Sequence, residues 1–245
     1  MLTLIRAEFM KLRTVRGPWL VLGAVPLLVA AGVAGLVISG DHSPGPRLQS
    51  DAMAHVGLTS ILTLVFGVLA VAGEYRHKTI TGTYLSTPGR APAITAKLGV
   101  YTGIGALAGV AGVAAGLLSG AAWWAGKGTS FVWTDAGMWT TAGGGIAWNA
   151  AFAAIGVGLG ALVRNLTGAI ALALAWIAVV EGIVGQLVGG FARWLPFSAG
   201  RALGVSVANA PGDLLPRWGG GVVLAAYAIA FVVAAIATTA RRDVV

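Results

Sequence analysis

The sequence predicts an all-α integral membrane protein with six transmembrane helices. An N-terminal interfacial amphipathic helix precedes them, and an outer re-entrant segment comes before the sixth span. Three observations predict this. First, 57% of the 245 residues are hydrophobic and only 10% are charged, with a mean hydropathy of +0.86; a soluble domain carries about 25% charged residues. Second, the apolar residues gather into runs long enough to cross a bilayer. Third, Lys and Arg fall unequally on the two sides that those runs define. The absence of cysteine excludes disulfides, thiolate metal sites and Cys nucleophiles. His42, His55 and His77 lack metal-ligand spacing. A net charge of +8 alone would fit a nucleic-acid partner. In a membrane chain, basic loops that set topology and meet anionic lipid account for it, so no nucleic acid is expected.

Residues 1–17 carry Arg6, Lys11, Arg13 and Arg16 against one acid, Glu8, while Leu4, Ile5, Phe9, Leu12 and Val15 share one helical arc. This is the pattern of a helix lying in the membrane interface. Basic residues ahead of an apolar run also begin a signal peptide. The run 18–39, however, is 22 residues without a charge, beyond a signal core of roughly 7–15 and matched to a span of about 20. Residues 41–51 read as a loop broken by Pro44, Gly45 and Pro46. The second span is expected at 52–72 and the third at 98–121. A Trp- and Gly-rich loop comes next, in which Trp123, Trp124, Trp133 and Trp139 mark a membrane boundary. The fourth span, 139–163, is joined by the short Arg164-Asn165 turn to the fifth, 166–188. The sixth is 218–240.

With six spans both termini share a side. That side holds Arg6, Lys11, Arg13, Arg16, Arg76, Lys78, Arg90, Lys97, Arg164, Arg241 and Arg242; the other holds Arg47, Lys127, Arg193, Arg201 and Arg217. The positive-inside rule therefore puts the termini and residues 73–97 in the cytoplasm of a cell-membrane protein, and residues 189–217 outside. That outer segment, with Phe191, Trp194, Leu195, Phe197 and Leu203, is too apolar for a free loop and too short in each half to span. Short helices dipping into the outer leaflet fit it, as long as protein covers their backbone.

In the third span Gly105 and Gly109, then Gly112, Gly116 and Gly120, recur every four residues. Small residues at this spacing let helix backbones approach closely in lipid, within the chain or, less commonly, at a subunit interface. Glu181 lies within the fifth span, where an ionised side chain is costly unless paired or hydrated. Two readings stand: it lines a substrate path with Gln186, or a vestibule solvates it. The Gly126-Lys127-Gly128-Thr129 stretch lacks the spacing of a phosphate-binding loop. No triad or paired-carboxylate constellation supports an enzyme.

Residues 73–97 are the main polar interruption. Glu74, Arg76, His77 and Lys78 open it, and residues 79–85 form a short amphipathic segment with Ile80, Tyr84 and Leu85. Thr87-Pro88-Gly89 breaks any helix, and Arg90 and Lys97 lead into the third span. Beside the usual loop of about 4–6 residues this is long, which favours a docking element over a connector. The order Glu74-x-Arg76-x-Lys78-Thr79, then Leu85-Ser86-Thr87-Pro88-Gly89-Arg90, then Ala96-Lys97 resembles the first cytoplasmic loop of ABC-2 type transporter permeases. The family form is roughly E-x-R-x-G-T followed by L-x-x-P-x-x-R and a lysine. This chain has Lys78 in place of the glycine, and Arg90 two residues after Pro88 instead of three.

The resemblance implies a permease subunit of an ABC exporter, and not itself an enzyme. Its partners would be a nucleotide-binding ATPase subunit, which holds the ATP and Mg, and a second permease copy or homologous permease. Glu74, Arg76, Lys78, Thr79, Tyr84, Leu85, Pro88 and Arg90 would form the coupling element. Basic residues there would steer an acidic ATPase surface, and Glu74 would pair with the basic N-terminal helix. The implied cargo is amphipathic or hydrophobic: an antibiotic, lipid or peptide. Two other classes fit the same composition. A secondary carrier or channel would want polar residues spread along the midplane and a repeat between halves, which the sequence lacks. A non-transporting immunity or scaffold subunit would bind without cargo flux.

Overall fold

The computed structural model describes residues 1–39, 46–82, 90–205 and 214–241. Every element among them is helical. The amphipathic helix α1 (Leu2–Thr14) leads directly into α2 (Arg16–Ser39). Next come α3 (Pro46–Leu58) and α4 (Ser60–Arg76), then α5 (Arg90–Gly126) and α6 (Ala136–Val163). Helix α7 (Leu166–Ala175) passes through a π-helical turn (Trp176–Glu181) into α8 (Gly182–Leu187). Two short helices, α9 (Gly189–Ala192) and α10 (Pro196–Gly204), precede α11 (Arg217–Arg241). Five stretches, Arg16–Ser39, Arg47–Arg76, Ala91–Gly126, Ala136–Val163 and Arg217–Thr238, are long and apolar enough to cross a membrane. This is the make-up of a multi-pass membrane protein.

The bundle is built around α6, which packs against α3, α4, α5, α10 and α11. Two-thirds (67%) of its apolar window is buried, against 22% for α2 and 28% for α11. Its composition explains the central place. A Cβ on Gly156 or Gly160 would run into the backbone of α4, and one on Gly144 into that of α10. Contact this close is how helices gain dispersion energy where lipid removes the hydrophobic drive. Leu27, Leu28, Ile38, Val222, Ile229 and Val233 of the peripheral helices point outward and are exposed.

The helices run further than the apolar runs. Residues 47–51, expected in a loop, belong to α3, with Pro46 as the first helical residue, where a missing N–H costs nothing. Helix α5 exceeds the expected third span at both ends, and α6 starts early because Asp135 caps it. The Asp135 carboxylate accepts the Gly137 N–H at 3.1 Å and the Met138 N–H at 2.9 Å. Trp124, expected at a membrane boundary, is instead buried beside Phe131, whereas Trp123, Trp133 and Trp139 stay exposed. The expected fifth span is interrupted by the π turn.

Candidate functional site: two buried carboxylate centres

At the end of the bundle that carries α1, four side chains form one ion cluster. Lys97 Nζ donates to Glu8 Oε1 at 3.0 Å, Glu8 Oε2 at 2.9 Å and Glu74 Oε1 at 2.6 Å. Lys11 Nζ donates to Glu8 Oε1 at 2.9 Å and Glu74 Oε1 at 2.8 Å. Two cations and two anions alternate, so the cluster is neutral. It joins α1, the last turn of α4 and the second turn of α5. Lys97 is 2% exposed and Glu8 5%, so both depend on this pairing, because an unpaired charge at such a depth costs several kcal/mol, about 3–5 when one partner is removed. Burial opposes the Lys11 ammonium. Its hydrogen bonds to Glu74 and Glu8, with their charges, outweigh that and hold its pKa above the usual lysine value.

The sequence marks α1 as amphipathic and leaves open which residues meet the bundle. Leu12 and the single acid, Glu8, are buried, while Phe9, Met10 and Val15 are exposed. Lys97 pulls Glu8 inward. The expected pairing of Glu74 with α1 is present in the 2.8 Å Lys11 contact. Lys97, which the charge distribution assigns to the basic residues of the membrane boundary, is instead the buried centre of the cluster.

Residues 73–97 are mostly helix at both ends, so the connection between α4 and α5 is shorter than the apolar runs suggest. Helix α4 ends in a left-handed cap: the Lys78 N–H donates to Tyr75 O at 3.2 Å and the Thr79 N–H to Glu74 O at 3.0 Å, with Lys78 at φ 55°. This is the position that glycine usually takes after a helix. The chain turns helical again at residues 80–82, where Ile80 is buried, while Arg76, His77, Lys78 and Thr79 are exposed. Tyr84, Leu85 and Pro88 lie outside the described residues, as does the Arg90 side chain. A cavity of about 280 Å³, bordered by Leu4, Glu8, Lys11, Thr79, Gly82 and Ala96, separates this connection from the cluster. Among the described residues, Glu74 Oε2 is buried without a hydrogen-bond partner and is the cluster's one unsatisfied oxygen. Nearby, the Arg164 guanidinium lies 5.4 Å from the Tyr75 ring centre.

The second centre is Glu181, at the end of the π turn. Its Oε1 accepts the Phe197 N–H at 2.8 Å, and its Oε2 accepts the Ser198 N–H at 3.0 Å and the Ser198 hydroxyl at 3.4 Å. The carboxylate thus binds the first turn of α10, whose opening N–H groups have no partner within the helix. The extra residue of a π turn rotates the helix beyond it, a deformation common at functional positions. Glu181 also borders an apolar cavity of about 240 Å³ between α4, α6, α7 and α11. Gln186 lies in α8, and its side chain is outside what the structure describes.

Helix α10 is held firmly. Trp148, wholly buried, fits a socket in which a Cβ on Gly57 or Gly200 would collide with its indole, and Phe197 meets its edge at 5.2 Å. Of the glycines of α5, the five at four-residue spacings, Gly105, Gly109, Gly112, Gly116 and Gly120, all face other helices of the same chain or the loop beside them. A Cβ on Gly105 would lie 2.7 Å from Asn149 O, on Gly109 2.8 Å from Ile146 Cα, and on Gly116 2.8 Å from Met53 Cε. Gly112 faces Val25 and Gly120 faces Phe131, both at 3.2 Å.

Sequence reasoning missed Asn149. Its Nδ2 donates to Val56 O at 2.7 Å and Gly145 O at 2.9 Å, and its own carbonyl accepts the Thr63 hydroxyl at 2.9 Å. The helical ladder breaks between α3 and α4, and this amide takes up a carbonyl near the break. A lone Asn in an apolar run was the available signal. Neither a protein-family model nor a curated protein sequence matches this chain.

Proposed function

We propose that the chain is the transmembrane permease subunit of an ATP-driven exporter of the ABC-2 type, with ATP and Mg bound by a separate ATPase subunit. A second permease copy or a homologous permease completes the assembly, and the cargo is amphipathic or hydrophobic. The observation that carries this reading is the ion cluster. It clamps the end of α4 and the start of α5 to each other and to α1, on both sides of the connection at 77–89. A push on that connection from a partner would move three helices together, which a topology-setting loop does not need.

The reading includes six crossings, with both termini in the cytoplasm of a cell membrane. The run 166–187 supports the sixth crossing, since 22 helical residues rise about 33 Å against a hydrocarbon core of about 30 Å. Its ends also belong to opposite ends of the bundle: Arg164 meets Tyr75 near the ion cluster, whereas Glu181 binds α10 beside Trp148. Helices α9 and α10 then form the outer re-entrant segment.

The test is reconstitution with a nucleotide-binding ATPase of the same organism, sought first among the products of neighbouring genes. The permease should co-purify with that ATPase and raise its turnover in nanodiscs. Arg76→Glu combined with Lys78→Glu should weaken the complex at least several-fold, most strongly at low salt. A complex indifferent to both substitutions returns these residues to setting topology. Cargo flux that persists without ATP but with a proton gradient defeats the ABC reading itself.

A further inference from the structure

We propose that the cavity between α4, α6, α7 and α11 binds a hydrophobic monocation whose positive charge rests against Glu181. The cavity holds about 240 Å³ and is walled by apolar and aromatic side chains, among them Phe152, Trp176, Tyr227 and Phe231. Among the described residues, Glu181 is its single acidic group. Both carboxylate oxygens face donors, as an ionised acid requires, yet the donors are neutral: two backbone N–H groups, the Ser198 hydroxyl and the Trp176 indole. Among the described residues, no Lys, Arg or His lies within ion-pair distance of it. The start of α10 supplies roughly half a positive charge. The rest of the negative charge is solvated by hydrogen bonds and left uncancelled.

The cluster around Lys97 shows how this chain neutralises buried carboxylates when a cation is available. Glu181 has no such cation among the described residues and has an apolar cavity beside it. A ligand that is apolar over most of its surface and carries one positive charge complements both features, and the aromatic rings add cation–π attraction. A neutral ligand leaves the charge unmatched, and an anion is repelled. The volume suits a skeleton of about two fused rings and excludes a peptide. This inference concerns binding and stands apart from the export reading; where that reading holds, it narrows the cargo to hydrophobic cations.

The experiment uses the full chain in phosphatidylcholine nanodiscs without any ATPase, so its failure is separate from a failure of coupling. Two probes are titrated by calorimetry against empty discs: 1-naphthylmethyl-trimethylammonium and its uncharged carbon isostere, 1-neopentylnaphthalene. The cation should bind at least tenfold more tightly than the isostere. Glu181→Gln should abolish that preference, and Ala173→Leu, which fills the cavity, should weaken both probes. Equal binding of the two probes to the wild-type chain overturns the proposal, whether or not any variant folds. So does a full cation preference retained by Glu181→Gln, or cation binding unaffected by Ala173→Leu.

Discussion

The two ends of this bundle bury carboxylates by opposite means. Glu8 and Glu74 are held by two ammonium groups, so the charges cancel within one four-membered cluster. Glu181 is held by neutral donors of a short helix, so its charge is spread but remains. The first arrangement suits a mechanical joint: it ties three helices together and leaves nothing for a ligand to neutralise. The second suits recognition, because the site keeps a net charge next to an apolar cavity. Burial alone therefore does not say what an acid in a membrane protein does. The charge of its partners does.

The largest effect that tests this contrast is at Lys97. Lys97→Met leaves two buried carboxylates sharing only half-exposed Lys11 and should destabilise the protein by about 3–5 kcal/mol. Adding Glu8→Gln should recover part of that loss, measured by denaturation in detergent. If Lys97→Met costs no more than Glu181→Gln, the cluster is not a desolvated joint and the contrast fails. Glu181→Gln turns one acceptor into a donor facing an N–H group and should cost about 1–3 kcal/mol. The loss should be local, with faster hydrogen exchange at Phe197 and Ser198; unchanged exchange there would mean that α10 does not depend on the carboxylate.

Smaller still is Lys78→Gly. An L-residue in the left-handed region costs roughly 1–2 kcal/mol, so glycine should raise stability, by on the order of 1 kcal/mol. Combined with Lys97→Met, it should add independently if the cap and the cluster are separate devices. The pH response is the mildest. The Lys11 pKa is raised on folding, so its contribution is complete below the pKa of the unfolded chain and is lost only as pH rises through the folded value. Melting temperatures between about pH 6 and 9 should owe no slope to this residue.

Much of the architecture was legible because lipid makes it so. An apolar run must become a helix, since no water satisfies its backbone, and the runs starting near residues 18, 52, 98, 139 and 218 each lie within a long apolar helix. Where helices stop was less legible. Hydropathy ends at the membrane surface, but helices such as α4 and α5 continue past it until a cap or a break ends them. The glycine spacing in α5 announced close packing without naming its neighbours. For the candidate site, Glu181 could be singled out as an acid in an apolar span, and Glu74 and Lys97 through the motif of residues 73–97. Their pairing with Glu8 could not, because an acid in a basic helix and a basic residue near a membrane boundary both have ordinary explanations.

The sequence by itself determined the helical class, the long apolar helices and the few places where polar chemistry could reside. Composition and run length are enough for that, because the bilayer acts on each segment separately. Tertiary structure alone decided which charges meet. Glu8 and Lys97 are 89 positions apart, and Glu181 and Phe197 are joined through a π turn and two short helices. Whether a buried charge is cancelled or left over depends on neighbours a few ångströms away in space, which no local pattern records.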